Sequence, residues 1–427
     1  MKQTSKKLLA TSGAAILLAT TALAGGTAAV FAQDEVEFDF YTLLHLDPGK
    51  TFIERVVADY VAENPGVKIN MTILENEALK DKIAFETAAG NVPDLFQSWG
   101  GGTLAQQVEA GLVRPIDDEI ADVVDTIIPA GLSMTNVDGA QYGMPYNLGA
   151  VGLWYNTDLL AEAGIDAPAT TWEEFLEDVQ TLKDAGITPI SLGGQDTWTA
   201  MFWFAYLSVR LCGPEGMSNA ITTGDWSGEC FIKAGEELKR LVEMEPFQEG
   251  FLAANHDAQQ GEFGNGRAAY MLQGQWAAGS QASNSESGDG IGEALAWAQF
   301  PAVEGGAGQL TDVFGGGDNF VVGRDAPTEA VEFLKHLTAN LEVAEAWAAL
   351  GDGTLPTVSG SEAFVADPNL QSILAARSEA TFAQGYLDQV TSPALGAAIN
   401  DAVAGLVAGV LAPEDVAGAI TEAAALE

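Results

Sequence analysis

The chain has 427 residues, of which 47% are hydrophobic and 18% charged, and it contains 19 Phe, 9 Trp and 8 Tyr. A chain of this length and composition can bury a large core, which excludes a disordered protein and favours two lobes or domains. Its formal net charge of −42 repels nucleic acid and anionic membrane surfaces, so we expect neither as a partner.

The first predicted element is an export signal over residues 1–32. A short head with three lysines precedes a long apolar run rich in Ala, Thr and Gly, and residues Val30 and Ala32 place the cleavage after Ala32. The run is long enough to span a bilayer, so a membrane anchor is the alternative. The cleavage point lacks the cysteine of a lipid-anchored signal. We therefore expect a soluble protein outside the cytoplasm.

Predicted strands and helices alternate in the part of the chain after the export signal. The alternating run EVEFDFYTLL and the apolar run VKINMTIL predict strands, and VPDLFQSWGGG predicts a third strand that ends in glycines. Helical spacing of apolar residues between these strands predicts an α/β lobe with a largely parallel sheet. Ligands bind beyond the carboxyl ends of such strands, which places His45, Asp47, Trp99 and Gly100 at one mouth.

The segment DGAQYGMPYN predicts a crossing into a second lobe, where the strand AVGLWYN follows. The next helix begins with Thr171 and Glu174, which form a capping-box pattern, and ends at Gly186. ITPISLGG is another predicted strand, and a largely helical stretch is expected from there to about residue 280. EALAWAQFPAVEGG then crosses back, DVFGGGDNFVVG predicts a strand pair with a glycine loop, and the tail from Asp367 is predicted to be helical.

Cys212 and Cys230 are the two cysteines of the chain. In an exported protein they predict one disulfide that closes a short loop, with a contribution of about 3 kcal/mol from chain entropy. Two buried thiols are the alternative. The cysteines do not form a CxxC pair, so redox catalysis and a cysteine-rich zinc site have no support.

A catalytic arrangement is not visible in the sequence. The three histidines are scattered among different elements, with His336 predicted on a helix surface and His256 in a loop. The patterns HExxH and GxSxG are absent, as is a metal-spaced set of His and Cys. LHLDPGKT ends like a phosphate-binding loop, but Leu44 stands where its first glycine is required. We therefore expect a protein that is not an enzyme and that uses neither a cofactor nor a metal.

The strongest functional signal is a set of aromatic residues beside glycine and polar residues in predicted loops. They are Trp99 in SWGGG, Tyr146 and Asn147 in MPYN, Trp198 in GGQDTW, Trp276 in GQW, with Asp318 in GGGDN. An aromatic ring covers the apolar C–H face of a sugar, and Asp, Asn, Gln and His serve its hydroxyls. An anionic ligand would require Arg or Lys, which are almost absent from these loops. Trp203 and Trp347 lie in apolar helical runs and are predicted to be core residues.

Seven motifs occur in a recognisable order along the chain. They are AAGNVPDLFQSWGGG, AGLVRPID, DGAQYGMPYN, WYNTDLLAEAGIDAPATTWEEF, LKDAGITPISLGG, NGRAAYMLQGQW and FLKHLTANLEVAEAW. In this order they resemble family 1 extracellular solute-binding proteins, the sugar-capturing subunits of ABC importers. The ending from YLDQ onward resembles the C-terminal helices of that family, and the resemblance covers nearly the whole mature chain.

The resemblance implies an α/β fold, a two-lobed periplasmic-binding-protein clamshell of type II with a central β-sheet flanked by helices in each lobe. Lobe 1 would comprise residues 33–146 and 302–366, and lobe 2 residues 147–301 and 367–427. The partners would be a mono- or oligosaccharide and the transmembrane permease subunits of an ABC importer, with the binding protein a periplasmic monomer. A binding protein for another solute, such as a polyamine, and a secreted carbohydrate-active enzyme are the alternatives.

The same resemblance implies roles for single residues. Trp276 matches the stacking tryptophan of the family, and its small neighbours would keep the indole exposed to the cleft, with Trp198 or Tyr146 stacking beside it. The residues expected to bond sugar hydroxyls are Asp318, Asp388, Asp196, Asn147 and His45. The loops that hold His45 and Trp99 match cleft positions whose residue types vary within the family.

Overall fold

The computed structural model describes residues 35–426, and its helices and strands belong to one unit of residues 36–427. The predicted export signal lies outside the described residues. The strands are β1 Val36–Thr42, β2 Val67–Ile73, β3 Leu95–Ser98, β4 Asn136–Val137, β5 Ala140–Gln141, β6 Gly143–Leu148, β7 Gly152–Asn156, β8 Thr188–Ile190, β9 Ala268–Gln273, β10 Leu295–Ala298, β11 Val313–Phe314, β12 Gly317–Val322 and β13 Ala383–Gln384.

The α-helices alternate with these strands in the first half of the chain and dominate its last part. They are α1 Gly49–Glu63, α2 Asn76–Ala88, α3 Gly101–Glu109, α4 Asp117–Ile120, α5 Pro129–Leu132, α6 Thr157–Ala163, α7 Trp172–Asp184, α8 Trp198–Thr223, α9 Glu229–Glu243, α10 His256–Gly264, α11 Ala277–Ser283, α12 Thr328–Ala339, α13 Leu341–Ala348, α14 Pro368–Glu379, α15 Leu387–Val390, α16 Pro393–Val407 and α17 Pro413–Ala424. Among the described helices, none is both long and apolar enough to cross a bilayer.

The first sheet has five strands in the order β2-β1-β3-β12-β6. Strand β1 is parallel to β2 and β3, as the strand–helix rhythm predicts. Strand β12 is antiparallel to both of its neighbours, so the other four strands share one direction and the prediction of a largely parallel sheet is confirmed except at β12. The reason is connectivity, because β12 returns from the other sheet and does not follow a helical crossover within its own sheet.

The second sheet has four strands in the order β10-β7-β9-β8. Its central strand β9 has the sequence AAYMLQ and is buried at all six residues. The stretch expected to be largely helical to about residue 280 does contain α8, α9 and α10, and this strand is an exception within it. A short apolar run that is covered on both faces shows no alternation, and its period cannot distinguish a strand from a buried helix.

Each sheet packs against its own apolar core. Phe40, Phe333 and Trp347 belong to the core of the five-stranded sheet. Trp172 and Trp203 belong to the core of the four-stranded sheet. Trp203 and Trp347 are each 1% exposed, which confirms both as core residues. The mixed α/β class with helices on the sheets is likewise confirmed, and the two largest apolar clusters each serve one sheet, as in a two-lobed molecule.

Two local predictions are also confirmed. The Thr171 hydroxyl accepts a hydrogen bond from the Glu174 backbone N–H, and the Glu174 carboxylate accepts one from the Thr171 backbone N–H, so α7 begins with a capping box. Cys212 near the middle of α8 forms a disulfide with Cys230 of α9, 18 residues further along the chain.

The strands β11 and β12 are separated by glycines, but they do not pair with each other. Strand β11 pairs with β13, and β12 joins the five-stranded sheet. The segment before β11 is fastened by Arg210 of α8, which is 1% exposed. Its guanidinium donates to the carbonyl oxygens of Phe300, Pro301, Gln309, Leu310 and Asp312. This connection is therefore held to the helix that covers the four-stranded sheet.

Candidate ligand-binding site

A cavity with about 1120 Å³ of empty space, its open mouth included, lies between the two sheets. The carboxyl ends of β1, β3 and β6 and the amino end of β12 meet at one edge of the five-stranded sheet, since β12 is antiparallel. This edge faces the loops after β8 and β9. The predicted residues that line the cavity are His45, Trp99, Tyr146, Asn147, Trp198, Trp276, Asp318 and Asp388. Asp47 lines the cavity as well, whereas the predicted residues Asp196 and Gly100 lie outside this lining.

Trp276 lies in the turn between β9 and α11 and is partly exposed at the cavity. Its indole Nε1 donates to Gln273 Oε1 at 2.9 Å, and the ring bends back over Gly274. A Cβ atom at residue 274 would stand 2.3 Å from Cζ3 of the indole, a distance that atoms cannot adopt. The small residue before Trp276 therefore gives the ring the space in which it lies.

Asp318 is the centre of a hydrogen-bond network on the five-stranded sheet. Its carboxylate accepts from Gln97 Nε2 at 3.0 Å and from Asn147 Nδ2 at 2.9 Å, and it also bonds the Trp99 side chain. Loss of hydration raises the pKa of Asp318 to about 6, although the hydrogen bonds from Asn147, Gln97 and Trp99 oppose the shift. Trp99 itself is held by a tight turn, because Gly100 has φ 72° and a Cβ there would strike the Met134 carbonyl oxygen.

Tyr146 lines the cavity but has no free ring face. Its ring stacks on Phe320 at 4.7 Å and on Trp347 at 5.0 Å, with interplanar angles of 16° and 11°. Its hydroxyl donates to Gln97 Oε1 at 3.1 Å. The expectation that Tyr146 could stack on a sugar is therefore wrong, since both of its faces are used within the core. Its hydroxyl instead bonds Gln97, whose amide in turn donates to Asp318.

His45 connects the loop after β1 with helix α10. Its Nδ1 lies 2.9 Å from the Leu43 carbonyl oxygen and its Nε2 lies 3.3 Å from Asp257 Oδ2. Both neighbours are hydrogen-bond acceptors, so the ring makes both bonds as donor when each of its nitrogens carries a proton. Burial lowers the pKa of His45, but the bonds to Asp257 and Leu43 outweigh it, and the pKa is raised overall. His45 and Asp257 therefore form an ion pair between the two sides of the cleft.

Asp196 acts behind the cavity wall. It is 8% exposed, and its carboxylate accepts from the backbone N–H of His256 at 2.6 Å. His256, which the sequence placed in a loop, is the first residue of α10 and lines the cavity. Asp196 therefore fixes the start of the helix that presents His256 and Asp257.

Helix α2 forms another contact between the two sides. The Trp198 indole Nε1 donates to Glu77 Oε1 at 3.1 Å, and Lys80 Nζ lies 3.0 Å from the same oxygen. The Lys80 ammonium also lies 5.3 Å from the centre of the Trp99 ring and 5.7 Å from that of Trp198. Trp198 is 9% exposed, so only a small part of its ring reaches the cavity.

Sequence reasoning missed several residues of the wall, among them Tyr386, Phe202, Asp352 and Lys80. Tyr386 stands two residues before Asp388 and meets the same criterion of an aromatic residue beside glycine and acid. Asp352 is an acid between two glycines in the stretch LGDGT, a pattern like that of Asp318 in GGGDN. Phe202 and Lys80 carry no such signal, because each belongs to an ordinary helical pattern and reaches the cavity only through tertiary packing.

Comparisons with known proteins agree on one family. Residues 44–340 match the family model described as bacterial extracellular solute-binding protein. A structure from work on xylan utilization by the thermophilic bacterium Caldanaerobius polysaccharolyticus superposes with TM-score 0.85 at 27% identity, covering 91% of this chain and 99% of that one. A chitin oligosaccharide binding protein superposes with TM-score 0.83 at 26% identity, covering 92% and 99%.

Curated sequences match over a shorter range. A binding protein of Brucella abortus (strain 2308) is 26% identical over 227 residues, which is 52% of this chain and 54% of that protein. The chain therefore spans about half the length of the curated relatives it matches. The structural matches extend over nearly the whole described chain, which shows that the fold is shared beyond the range of this sequence match.

Proposed function

Because the chain belongs to the bacterial extracellular solute-binding protein family, we propose that it binds a sugar or oligosaccharide outside the cytoplasm and delivers it to an ABC importer. The observation that carries this proposal is the cavity wall, in which a partly exposed Trp276 faces carboxylates and amides. An indole face and hydroxyl-binding groups in one cavity are the two requirements of a sugar. The xylan-related structure and the chitin oligosaccharide binding protein support the same ligand class.

In this proposal Trp276 stacks on a sugar ring. Asp318, Asp388, Asn147 and His45 bond its hydroxyls, and Trp99 and the edge of Trp198 extend the aromatic surface. Asp196 contributes indirectly by holding α10. The two lobes, for which we propose residues 33–146 with 302–366 and residues 147–301 with 367–427, close on the ligand. Closure shifts the population toward the state in which both lobes contact the sugar. We expect micromolar affinity, about −8 kcal/mol.

Further parts of the proposal concern the protein in its cell. Residues 1–32 would direct export and be removed near Ala32, which would leave a free periplasmic protein. The mature protein would act as a monomer and would present its closed form to the permease subunits of the importer. It would bind its ligand without turnover, as expected of a family of solute-binding proteins.

A polyamine is the second candidate ligand, because carboxylates outnumber cationic groups on the cavity wall. Asp47, Asp318, Asp352 and Asp388 line the cavity, and an acidic surface attracts a polycation. The same family fold would serve such a ligand. The proposed sugar function and this alternative differ in whether the indole face or the negative charge dominates binding.

A thermal-shift screen of the exported protein, expressed from the full-length sequence, tests the proposal. The panel contains mono- and oligosaccharides, with polyamines and amino acids as controls. A rise in melting temperature with one class of sugar is the expected result, since a ligand that binds only the native state stabilises it. A rise with polyamines alone would refute the sugar function, and hydrolysis of a glycoside by the purified protein would refute the role as a binding protein.

A further inference from the structure

We propose that the cavity prefers a sugar that carries a protonated amine over the neutral sugar of the same size. The inference rests on the proposed sugar-binding function and concerns the charge of the ligand. Asp318, Asp352 and Asp388 line one cavity together with Tyr386. Tyr386 is 7% exposed, and its hydroxyl proton has no hydrogen-bond acceptor among the described residues.

The three carboxylates are bonded to neutral groups only. Asp318 accepts from the amides of Gln97 and Asn147, Asp352 Oδ1 accepts from the Thr354 backbone N–H at 2.9 Å, and Asp388 Oδ2 accepts from Asn400 Nδ2 at 3.3 Å. Carboxylates removed from water are costly unless a cation pairs with them. Loss of hydration raises the pKa of both Asp318 and Asp352, which agrees with charges that lack a counterion.

The cationic groups of the wall are already paired with other acids. Lys80 bonds Glu77, and His45 bonds Asp257. His256 lies 3.4 Å from Asp257 and 3.0 Å from the Gln260 amide. Asp47, a fourth acid of the wall, accepts from the Thr51 hydroxyl and backbone. In the part of the chain that the structure describes, the three carboxylates therefore have no protein cation as a partner.

The indole N–H donors of the cavity are also used within the protein. Trp99 bonds Asp318, Trp198 bonds Glu77 and Trp276 bonds Gln273. The groups of the cavity wall that can still form hydrogen bonds are mostly acceptors, so the ligand must supply the donors. A hydroxyl group has one proton to donate, whereas an ammonium group has three and carries the missing positive charge. A sugar carboxylate or phosphate would supply neither.

Tyr386 distinguishes an amino sugar from a simple amine. Burial raises the pKa of its hydroxyl, and the charges of Asp318 and Asp388 raise it further, which places the hydroxyl in the field of both carboxylates. Its free proton requires an acceptor on the ligand, and a sugar ring offers hydroxyl and ring oxygens beside the amine. A polyamine has no such acceptor. The amine would also lie near the face of Trp276, where a cation is attracted by the ring.

Calorimetric titrations at pH 7 with matched sugar pairs test the inference. Each pair contains an amino sugar and the neutral sugar with a hydroxyl in place of the amine, namely glucosamine with glucose, galactosamine with galactose, and the unacetylated glucosamine disaccharide with cellobiose. Each amine is also compared with its N-acetylated form. The expected result is that the free amine of at least one pair binds about 10-fold or more tightly than the neutral sugar of that pair. The ratio is also expected to fall as salt is added, because screening weakens an ionic contact.

Asp388→Asn and Asp352→Asn test whether the wall carboxylates cause the preference. Either variant is expected to reduce the ratio several-fold, mainly through weaker binding of the free amine, and the melting temperature of each shows whether it is folded. Asp94→Asn is the matched control, because Asp94 is a half-buried acid immediately before β3 that lines a different pocket. That control is expected to leave the ratio unchanged.

The outcomes separate the inference from the proposed function. Equal or tighter binding of the acetylated or neutral sugar in every pair would overturn the amine preference while the sugar function stands. An amine preference that survives both carboxylate variants would overturn its assignment to these carboxylates. Binding of spermidine with no binding of any sugar would overturn the sugar function itself, and the absence of binding by every probe would contradict both.

Discussion

At the scale of single residues, Trp276 and Gly274 act as one unit. The sequence pattern drew attention to a large ring among small neighbours, and the structure supplies the reason, because the indole bends over the Cα of Gly274. Composition alone could identify the ring as unusual. It could not identify the partner of its N–H, Gln273, or the closed stack around Tyr146, since both depend on residues distant in sequence or on ring orientation.

Gly274→Ala is predicted to weaken sugar binding about 10-fold or more, with only a small loss of stability. The added methyl group would meet the indole at 2.3 Å and force it out of the orientation that faces the cavity. Calorimetric titration with the sugar found by screening measures the effect. Gly418→Ala in α17 is the control for an alanine at a glycine, because a Cβ there meets no atom within 4 Å and the residue is helical. An unchanged affinity in Gly274→Ala would show that the orientation of the ring is unimportant.

At the scale of elements, the loop after β1 and helix α10 are joined by His45 and Asp257. The groups that face His45 are Asp257, the Leu43 carbonyl and, at longer range, Glu75. His256 bonds the same carboxylate, and both histidines help to hold the pKa of Asp257 below its ordinary value. The bond across the cleft therefore depends on the proton of His45.

His45→Gln is predicted to destabilise the protein more at pH 6 than at pH 8. The pKa of His45 is raised in the folded protein, so its contribution to stability is complete below about 6.5 and is lost as the pH rises through the folded value. Urea unfolding of both proteins at the two pH values measures the difference in the free energy of unfolding. A larger decrease in the free energy of unfolding of His45→Gln at pH 8 than at pH 6 would contradict the ion pair.

His336→Gln is the matched control, because its expected trend has the opposite sign. His336 lies on α12 with its ring 5.1 Å from that of Tyr60, and burial lowers its pKa. The neutral form is therefore favoured in the folded protein, and its contribution is lost as the pH falls. The decrease in the free energy of unfolding caused by His336→Gln is expected to be larger at pH 8 than at pH 6.

The disulfide between α8 and α9 is a second prediction at this scale. Cys212→Ser combined with Cys230→Ser is predicted to lower the free energy of unfolding by about 2–4 kcal/mol, because the bond restricts an 18-residue separation in the unfolded chain. Urea unfolding with and without reductant measures it. The wild type in reductant should match the double variant, and a double variant as stable as the oxidised wild type would show that the bond adds nothing.

At the scale of the whole molecule, the sequence predicts the α/β class, the first three strands and the capped helix α7. Those elements carry local signals, namely alternation in β1 and a Thr–Glu pair at the start of α7. The sequence did not predict that β12 is antiparallel or that β9 is a strand. A local sequence pattern specifies neither the direction of a strand nor its burial on both faces. The cavity residues missed, Phe202 and Lys80, come from helices and meet the site only when the two sheets face each other.

Closure around a sugar is a further prediction at this scale. The contacts between the two sides, His45 with Asp257 and Trp198 with Glu77, exist only when the cleft is narrow. Addition of the sugar found by screening is therefore predicted to decrease the radius of gyration in small-angle X-ray scattering, because the closed population grows. Asp257→Asn should reduce the fraction closed in the absence of sugar. A radius of gyration that does not change on saturation would contradict the hinge motion.

Calorimetric titration of the wild type and Trp276→Ala with the sugar found by screening tests whether the cavity holds that sugar against Trp276. Micromolar binding to the wild type and a loss of affinity of about 10- to 100-fold in Trp276→Ala are expected, because a contact of about 2 kcal/mol is removed. Phe85→Ala, at an aromatic residue 76% exposed and outside the cavity lining, should bind like the wild type. Equal affinity of the wild type and Trp276→Ala, or no sugar binding to the wild type, would contradict the account.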